Sequence, residues 1–195
     1  MRKANYQRET RETEIIVEVN LDGQGYSEIS TGLGFFDHML EQVAVHGLLD
    51  ITLKASGDLN IDPHHTVEDT GLALGEAINQ AMGDRKGIVR MAAATVPMDE
   101  ALGEAILDFS GRPYCVFNGE WTGTRIGKLP VSLIEHFFYS LSMTMKATLH
   151  LNLRYGRDDH HKAEALFKAL GRALCIASRF DQRRGVSIPS SKGVL

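Results

Sequence analysis

The sequence predicts an α+β fold: an internally duplicated β-β-α-β-α unit, in mixed sheets with helices packed on one face, the halves related by a pseudo-twofold. Three observations predict it: the chain matches itself at a nearly constant offset, short runs alternate apolar and polar residues, and longer runs carry helical spacing between recognisable stops. At 195 residues, one large domain or two units of roughly 100 residues each are possible. The self-match favours a first unit over 1–90 and a second over 91–195, packed together as one protomer.

The repeats occur in order. FFDHML carries His38 and IEHFFY carries His136, 98 residues on. DPHHTVED and DDHHKAEA place His64 and His160 96 residues apart, and ALGEA matches ALGRA at the same offset. RKGI from Arg85 matches RRGV from Arg183 at 98, while LDG and FSG pair more loosely at 88. In the first unit, EIIVEVN alternates like a half-buried strand, and the Asp-Gly of LDGQG is expected to fold it back as a hairpin with YSEIS. Helical spacing from Phe35 to His46 stops at Gly47, a candidate C-cap, before the strand LDITLKA. A second helix runs from about Val67 to Met82, with Gly83 behind it. The second unit reads similarly, as AILDFS, YCVFN, a helix over 131–146, TLHLNL and a helix over roughly 160–178. Between the units, VRMAAATVP and ALGEAILDF read as a hairpin turning at Met98-Asp99-Glu100.

Composition excludes several classes. Apolar residues make up 43% and charged residues 24%, as in soluble globular proteins. A formal charge of −4 gives no reason to expect nucleic acid or an anionic membrane as partner. No run approaches 18 apolar residues and the N-terminus carries no signal-like apolar segment, so a cytoplasmic protein is expected. Cys115 and Cys175 lack CxxC spacing and read as small buried hydrophobes, with a catalytic thiol a distant second reading.

The two HHxxE motifs carry the chemistry. Residues four apart share a helix face, whereas adjacent residues diverge by about 100°. His64 and Glu68 therefore point together while His65 diverges; His160, Glu164 and His161 repeat the pattern. Neighbouring histidines cannot easily chelate one ion, but they can serve two. The pseudo-symmetry suggests a crossed pair, His64 and Glu68 with His161, and His160 and Glu164 with His65, with His38 and His136 completing the sets. Three imidazoles and a carboxylate are too rich in nitrogen for Mg²⁺ or Ca²⁺ and too poor in sulfur for structural zinc. Mn²⁺ fits, with Fe²⁺ or Co²⁺ as substitutes. A lone histidine is usually surface decoration, yet seven of the eight fall in or beside recurring segments. The exception, His150, reads as a solvent-facing strand residue. Asp62 and Asp69 could orient imidazoles, and Asp62 could equally cap a helix.

With GFFDHML, DPHHTVEDTGLALGEA, VPMDEAL, DFSGRP, EHFF, DDHHKAEALFKAL and the terminal PSSKGVL in view, the sequence closely resembles the imidazoleglycerol-phosphate dehydratases over nearly its whole length. The resemblance implies a lyase of histidine biosynthesis that dehydrates imidazoleglycerol phosphate to imidazole-acetol phosphate, without an added phosphatase domain. It implies two Mn²⁺ per active site, one held by His38, His64, Glu68 and His161, the other by His65, His136, His160 and Glu164. It also implies a homo-oligomer of 24 subunits with active sites between chains. Phosphate would be held by Arg90, Arg112, Lys168 and the tail Ser190, Ser191 and Lys192, with Gln42 and His46 beside them. On composition alone each Arg or Lys is more often a solvated charge, and SSKG a frayed terminus.

The chemistry sets the remaining demand. The proton to be removed is not intrinsically acidic, so the electron demand must be moved elsewhere. Two ions flanking the ring could stabilise imidazolate, which expels the hydroxyl as a diazafulvene-like species and acidifies the neighbouring C–H. The resemblance makes Glu12, in RETRETEI, the acid/base; its bland reading is a charged residue before a strand. Two rival readings are a two-metal phosphate-ester hydrolase and a non-catalytic metal-binding assembly protein.

Overall fold

In the computed structural model, which describes residues 2–195, the first half contains β1 (Lys3–Glu9), β2 (Thr13–Asn20), β3 (Ser27–Ser30), α1 (Gly34–Gly47), β4 (Asp50–Gly57) and α2 (His64–Met82). The second contains β5 (Met91–Met98), β6 (Ala101–Asp108), β7 (Tyr114–Asn118), a small hairpin of β8 (Arg125–Ile126) and β9 (Leu129–Pro130), α3 (Val131–Met145), β10 (Thr148–Tyr155) and α4 (Asp159–Ser178). The α+β class holds, and the duplication shows in the sheets, ordered β1-β2-β4-β3 and β5-β6-β10-β7. Each order contains two antiparallel pairings and ends on a parallel one, β3 with β4 and β7 with β10.

Each unit carries one more leading strand than the expected β-β-α-β-α. In the first this is β1, a polar, half-exposed edge strand whose weak apolar signal hides it in the sequence. Its presence also overturns the LDGQG hairpin. With β1 on one side and β4 on the other, β2 has no free edge, so the chain crosses to the far side of β4. Asp50 holds that crossing: its Oδ1 accepts the N–H groups of Gln24 (2.8 Å) and Tyr26 (3.1 Å).

Alternation does the folding of each sheet. Ile15, Val17 and Val19 on β2, and Ala101, Ala105 and Leu107 on β6, turn inward and are buried. Helices α1 and α2 cover the first sheet, α3 and α4 the second, and the pairs meet as α1 on α4 and α2 on α3. Phe36, Phe137, Phe138 and Phe167 fill the space between, all fully buried and in ring contact. Area buried by such rings dominates a core of this kind.

The repeated ALG motif lies at those crossings. A Cβ at Gly75 would come 2.5 Å from the Leu141 carbonyl, and one at Gly171 would come 2.8 Å from that of Val43. Gly47 serves the same contact rather than capping α1, since a Cβ there would come 3.2 Å from the Gly171 carbonyl; Leu48 takes the left-handed cap with φ 53°. Gly75→Ala gains about 1 kcal/mol of helix propensity but forces a methyl against fixed backbone, where overpacking costs about 1–3 kcal/mol. We expect a net loss near the upper end of the difference, about 2 kcal/mol, lowering the melting temperature by roughly 4–8 °C. Gly34→Ala, with open space around it, should lower it by nothing; equal melting of both variants would refute the crossing argument.

Candidate metal centres

Each HHxxE motif opens a helix. Asp62 Oδ1 accepts the His64 N–H at 2.6 Å, and Asp158 Oδ1 accepts that of His160 at 2.7 Å, which satisfies amides otherwise orphaned at a helix start. Asp62 is thus a helix-start residue. Asp69 is likewise structural, since it is buried and bound to Arg8 Nε (2.7 Å) and the Thr13 hydroxyl.

The helical register then aligns each histidine with the glutamate four residues on. His64 Nε2 lies 3.4 Å from Glu68 Oε2, and His160 Nε2 lies 3.3 Å from Glu164 Oε2. A third imidazole joins each pair from the packed helix. His136 Nε2 is 3.6 Å from Glu68 Oε2, and His38 Nε2 is 3.5 Å from Glu164 Oε2. Two clusters result, His64–Glu68–His136 and His38–His160–Glu164, each with its ligand atoms within 4.8 Å of one another. Relative to the expectation, His38 and His136 have exchanged places. The cause is helix pairing: α1 packs on α4 and α2 on α3, so each imidazole meets the motif of the other unit.

The residues fit a cation. His136 Nε2 is buried with no hydrogen-bond partner, an arrangement that costs free energy unless something fills the lone pair. Burial alone would raise the Glu164 carboxyl, but Lys168 at 2.7 Å and His38 outweigh it and hold it below its ordinary range, ionised and ready to ligate. Glu68 has no such lysine, because Leu72 stands where Lys168 would be. The clusters are alike in donors and unlike in charge.

His65 and His161 turn away from both clusters, as adjacency on a helix requires. His65 Nδ1 is 3.0 Å from Asp58 Oδ2, and His161 Nδ1 is 2.7 Å from Glu100 Oε2. Those bonds raise the pKa of each ring. Glu100 is held down to about 2, first by the Asp158 N–H, then by His161 and the Arg157 N–H. Neither carboxylate was singled out from sequence. Asp58 lies outside the motif, and Glu100 reaches His161 only through the fold.

Residues 31–174 match the family model for imidazoleglycerol-phosphate dehydratase. The chain is 53% identical to the imidazoleglycerol-phosphate dehydratase of Roseiflexus sp. (strain RS-1), covering 100% of this chain and 98% of that one. It is 52% identical to that of Chloroflexus aggregans (strain MD-66 / DSM 9485), covering 100% and 95%. The chain belongs to the imidazoleglycerol-phosphate dehydratase family. It is a lyase of histidine biosynthesis. The crystal structure of the dehydratase from Staphylococcus aureus subsp. aureus N315 superposes with a TM-score of 0.83 at 35% identity, over 92% of this chain and 99% of that chain. That from Pyrococcus furiosus, in complex with (S)-C348, gives the same score and identity over 97% and 99%.

The substrate residues that the family resemblance implied fall into two groups. Gln42 and Lys168 border the His38 cluster, Gln42 Nε2 lying 3.4 Å from the His38 carbonyl. His46 joins them, its pKa lowered by burial and then by the nearby charges of Lys168 and Arg172. Arg90 sits elsewhere, donating to Asp108 at 2.7 and 3.0 Å and to the Pro189 carbonyl at 2.7 Å, just before Ser190, Ser191 and Lys192. Gly111, beside Arg112, packs against Leu195 at the end of the same tail. Lys168 approaches Met98 at one end of β5, and Arg90 adjoins Met91 at the other. The seven steps from Met91 to Met98 span about 23 Å, so one chain cannot close both groups on a small phosphate ester.

Glu12 stands last in the β1–β2 turn, its N–H donated to Thr10 Oγ1 at 3.1 Å. Its carboxylate has no hydrogen-bond or ion-pair partner among the described residues, and it acts on His65 through its charge. His150 is exposed, as expected. Burial raises the Cys115 thiol to about 11, which leaves it no thiolate for nucleophilic work at neutral pH. Among the described residues no helix is long and apolar enough to cross a membrane.

Proposed function

We propose that the protein dehydrates imidazoleglycerol phosphate to imidazole-acetol phosphate with two Mn²⁺ per active site, in the cytoplasm, as a 24-subunit particle with active sites between chains. The observation that carries the metal reading is the pair of His-His-Glu clusters with a buried, unpartnered imidazole nitrogen. His38, His160 and Glu164 would hold one ion, and His64, Glu68 and His136 the other. His65 and His161, turned off the chain, would complete centres begun by neighbouring copies, His65 at the first kind and His161 at the second. The wide separation of Lys168 from Arg90 supports the same arrangement, because only juxtaposed chains bring both to one ligand.

When bound, the ions supply Lewis acidity that favours the anionic form of the substrate's imidazole. The chain supplies the rest. Lys168, Arg90, Arg112 and the tail donors Ser190, Ser191 and Lys192 hold the phosphate, Arg with a planar fork and Lys as a point charge. Gln42 and His46 offer hydrogen bonds beside the His38 cluster. Glu12 takes the proton from carbon and returns one to the product. Its freedom from other partners suits a group that must change protonation within each turnover.

The test is product formation from imidazoleglycerol phosphate with and without Mn²⁺. Metal-dependent imidazole-acetol phosphate is expected. Release of inorganic phosphate would identify a hydrolase instead, and metal binding without turnover would identify an assembly protein.

A further inference from the structure

Glu12 and Glu100 occupy equivalent places, each immediately before the second strand of its unit's leading hairpin. They are used differently. Glu100 Oε1 accepts the N–H groups of Arg157 (2.9 Å) and Asp158 (2.8 Å), and Oε2 meets His161 Nδ1. In the first unit the same contact on His65 comes from Asp58, in the loop between β4 and α2, and Glu12 is left free. One geometry is therefore reached from two non-equivalent positions in the duplicated chain. That recurrence is the observation to be explained, since a chance surface ion pair has no reason to reappear on another element.

The chemistry of the contact is specific. A neutral imidazole has one N–H and one lone pair, and an ionised carboxylate can only accept. A carboxylate at Nδ1 thus places the proton there and the lone pair on Nε2; at His161 that Nε2 lies 3.9 Å from Asp99 Oδ2, beyond hydrogen-bond distance. Among the described residues the Asp58 carboxylate has no other hydrogen-bond partner, and its Oδ1 is buried and unpartnered. Its burial is not explained by any helix cap or backbone bond.

We propose that Asp58 and Glu100 are the positioning residues of His65 and His161, fixing the Nδ1–H tautomer and turning each Nε2 outward to ligate a divalent cation carried by a neighbouring copy. The inference rests on the metal reading above and adds residues outside the clusters to it. Glu100→Gln isolates the effect. Its amide oxygen can still accept the Arg157 and Asp158 N–H groups, but its NH₂ would face His161 and favour the opposite tautomer. Asp58→Asn does the same at His65 and breaks no backbone bond, so it keeps the test alive if the first variant does not fold.

The experiment is chelator competition on the manganese-loaded full chain, with melting measured separately in excess chelator. Wild-type protein should hold two Mn²⁺ per chain. Each variant should weaken one of the two by about 10–100-fold and leave the other as in the wild type, with its chelated melting temperature unchanged. Wild-type protein that binds no Mn²⁺ would overturn the metal reading and this inference with it. Two sites of wild-type affinity in both variants would overturn the inference alone. So would a Glu100→Gln chelated melt lowered as far as that of Glu100→Ala, which also frees the loop; that result would mark Glu100 as a loop brace.

Discussion

Glu12→Gln is expected to lower kcat by about 10²–10⁴-fold, the usual contribution of a positioned acid or base, while both clusters keep their manganese. The argument begins at the hairpin turn. Glu12 is exposed there, its backbone N–H tied to Thr10 Oγ1 and its carboxylate uncommitted. Gln is nearly the same size and preserves the turn, so the fold should be indifferent to the change. What disappears is the ability to accept and release a proton. The comparison with Glu100 sharpens the point: the equivalent carboxylate of the other unit already holds two amides and an imidazole. It cannot act without dismantling the α4 entry. Glu9→Gln, a neighbouring exposed charge at the end of β1, serves as the control and should retain wild-type turnover. Steady-state kinetics with metal analysis on the same samples decide the matter. An unchanged kcat in Glu12→Gln removes the residue from the mechanism, and lost manganese would reassign it to the metal site.

What could be read from the residues followed physical regularities of short range. The i, i+4 pairing of His64 with Glu68 and His160 with Glu164 is a property of any α-helix, as is the divergence of His65 and His161. The four helices were legible because apolar spacing and small terminal residues mark them within a turn or so. Strand β1 was not, because a polar edge strand carries little hydrophobic signal. The expected β2–β3 hairpin fails for a related reason: LDG describes a turn, whereas the partner of β2 is β4, about thirty residues on. The placing of His38 and His136 has the same origin. Sequence symmetry leaves open which motif each one joins, and the sets that the resemblance implied place them the other way round; which helices touch is decided by Gly47 against Gly171 and Gly75 against Leu141, contacts of the folded chain. Asp58 and Glu100 are the extreme case. Asp58 stands only seven residues before His65 but outside any helical register with it, while no spacing rule connects Glu100 with His161, 61 residues later, and only the juxtaposition of a hairpin tip with a helix start reveals that contact.

Withdrawal of metal is expected to abolish turnover and reduce the proposed 24-subunit particle to far smaller species, and restored Mn²⁺ should rebuild both. Each cluster offers three donors from one chain, fewer than a six-coordinate ion accepts. The two further imidazoles, His65 and His161, point away from the clusters of their own chain. An ion seated in one copy and completed by another is therefore a cross-link between them. A ligand that binds only the assembled state stabilises it by about 4 kcal/mol when present at a thousandfold excess over its Kd. With two such ions per chain, the sum rivals the entire stability of a typical domain, so their loss should outweigh the remaining protein–protein contacts. Light scattering during chelation and after Mn²⁺ addition measures this directly. His65→Ala and His161→Ala separate assembly from the clusters themselves, since each removes an outward ligand and leaves all six cluster residues in place. Both variants should form small species even in saturating Mn²⁺. A particle that keeps its size after complete chelation would show that the ions do not join the chains, and it would return His65 and His161 to the role of surface ion pairs with Asp58 and Glu100.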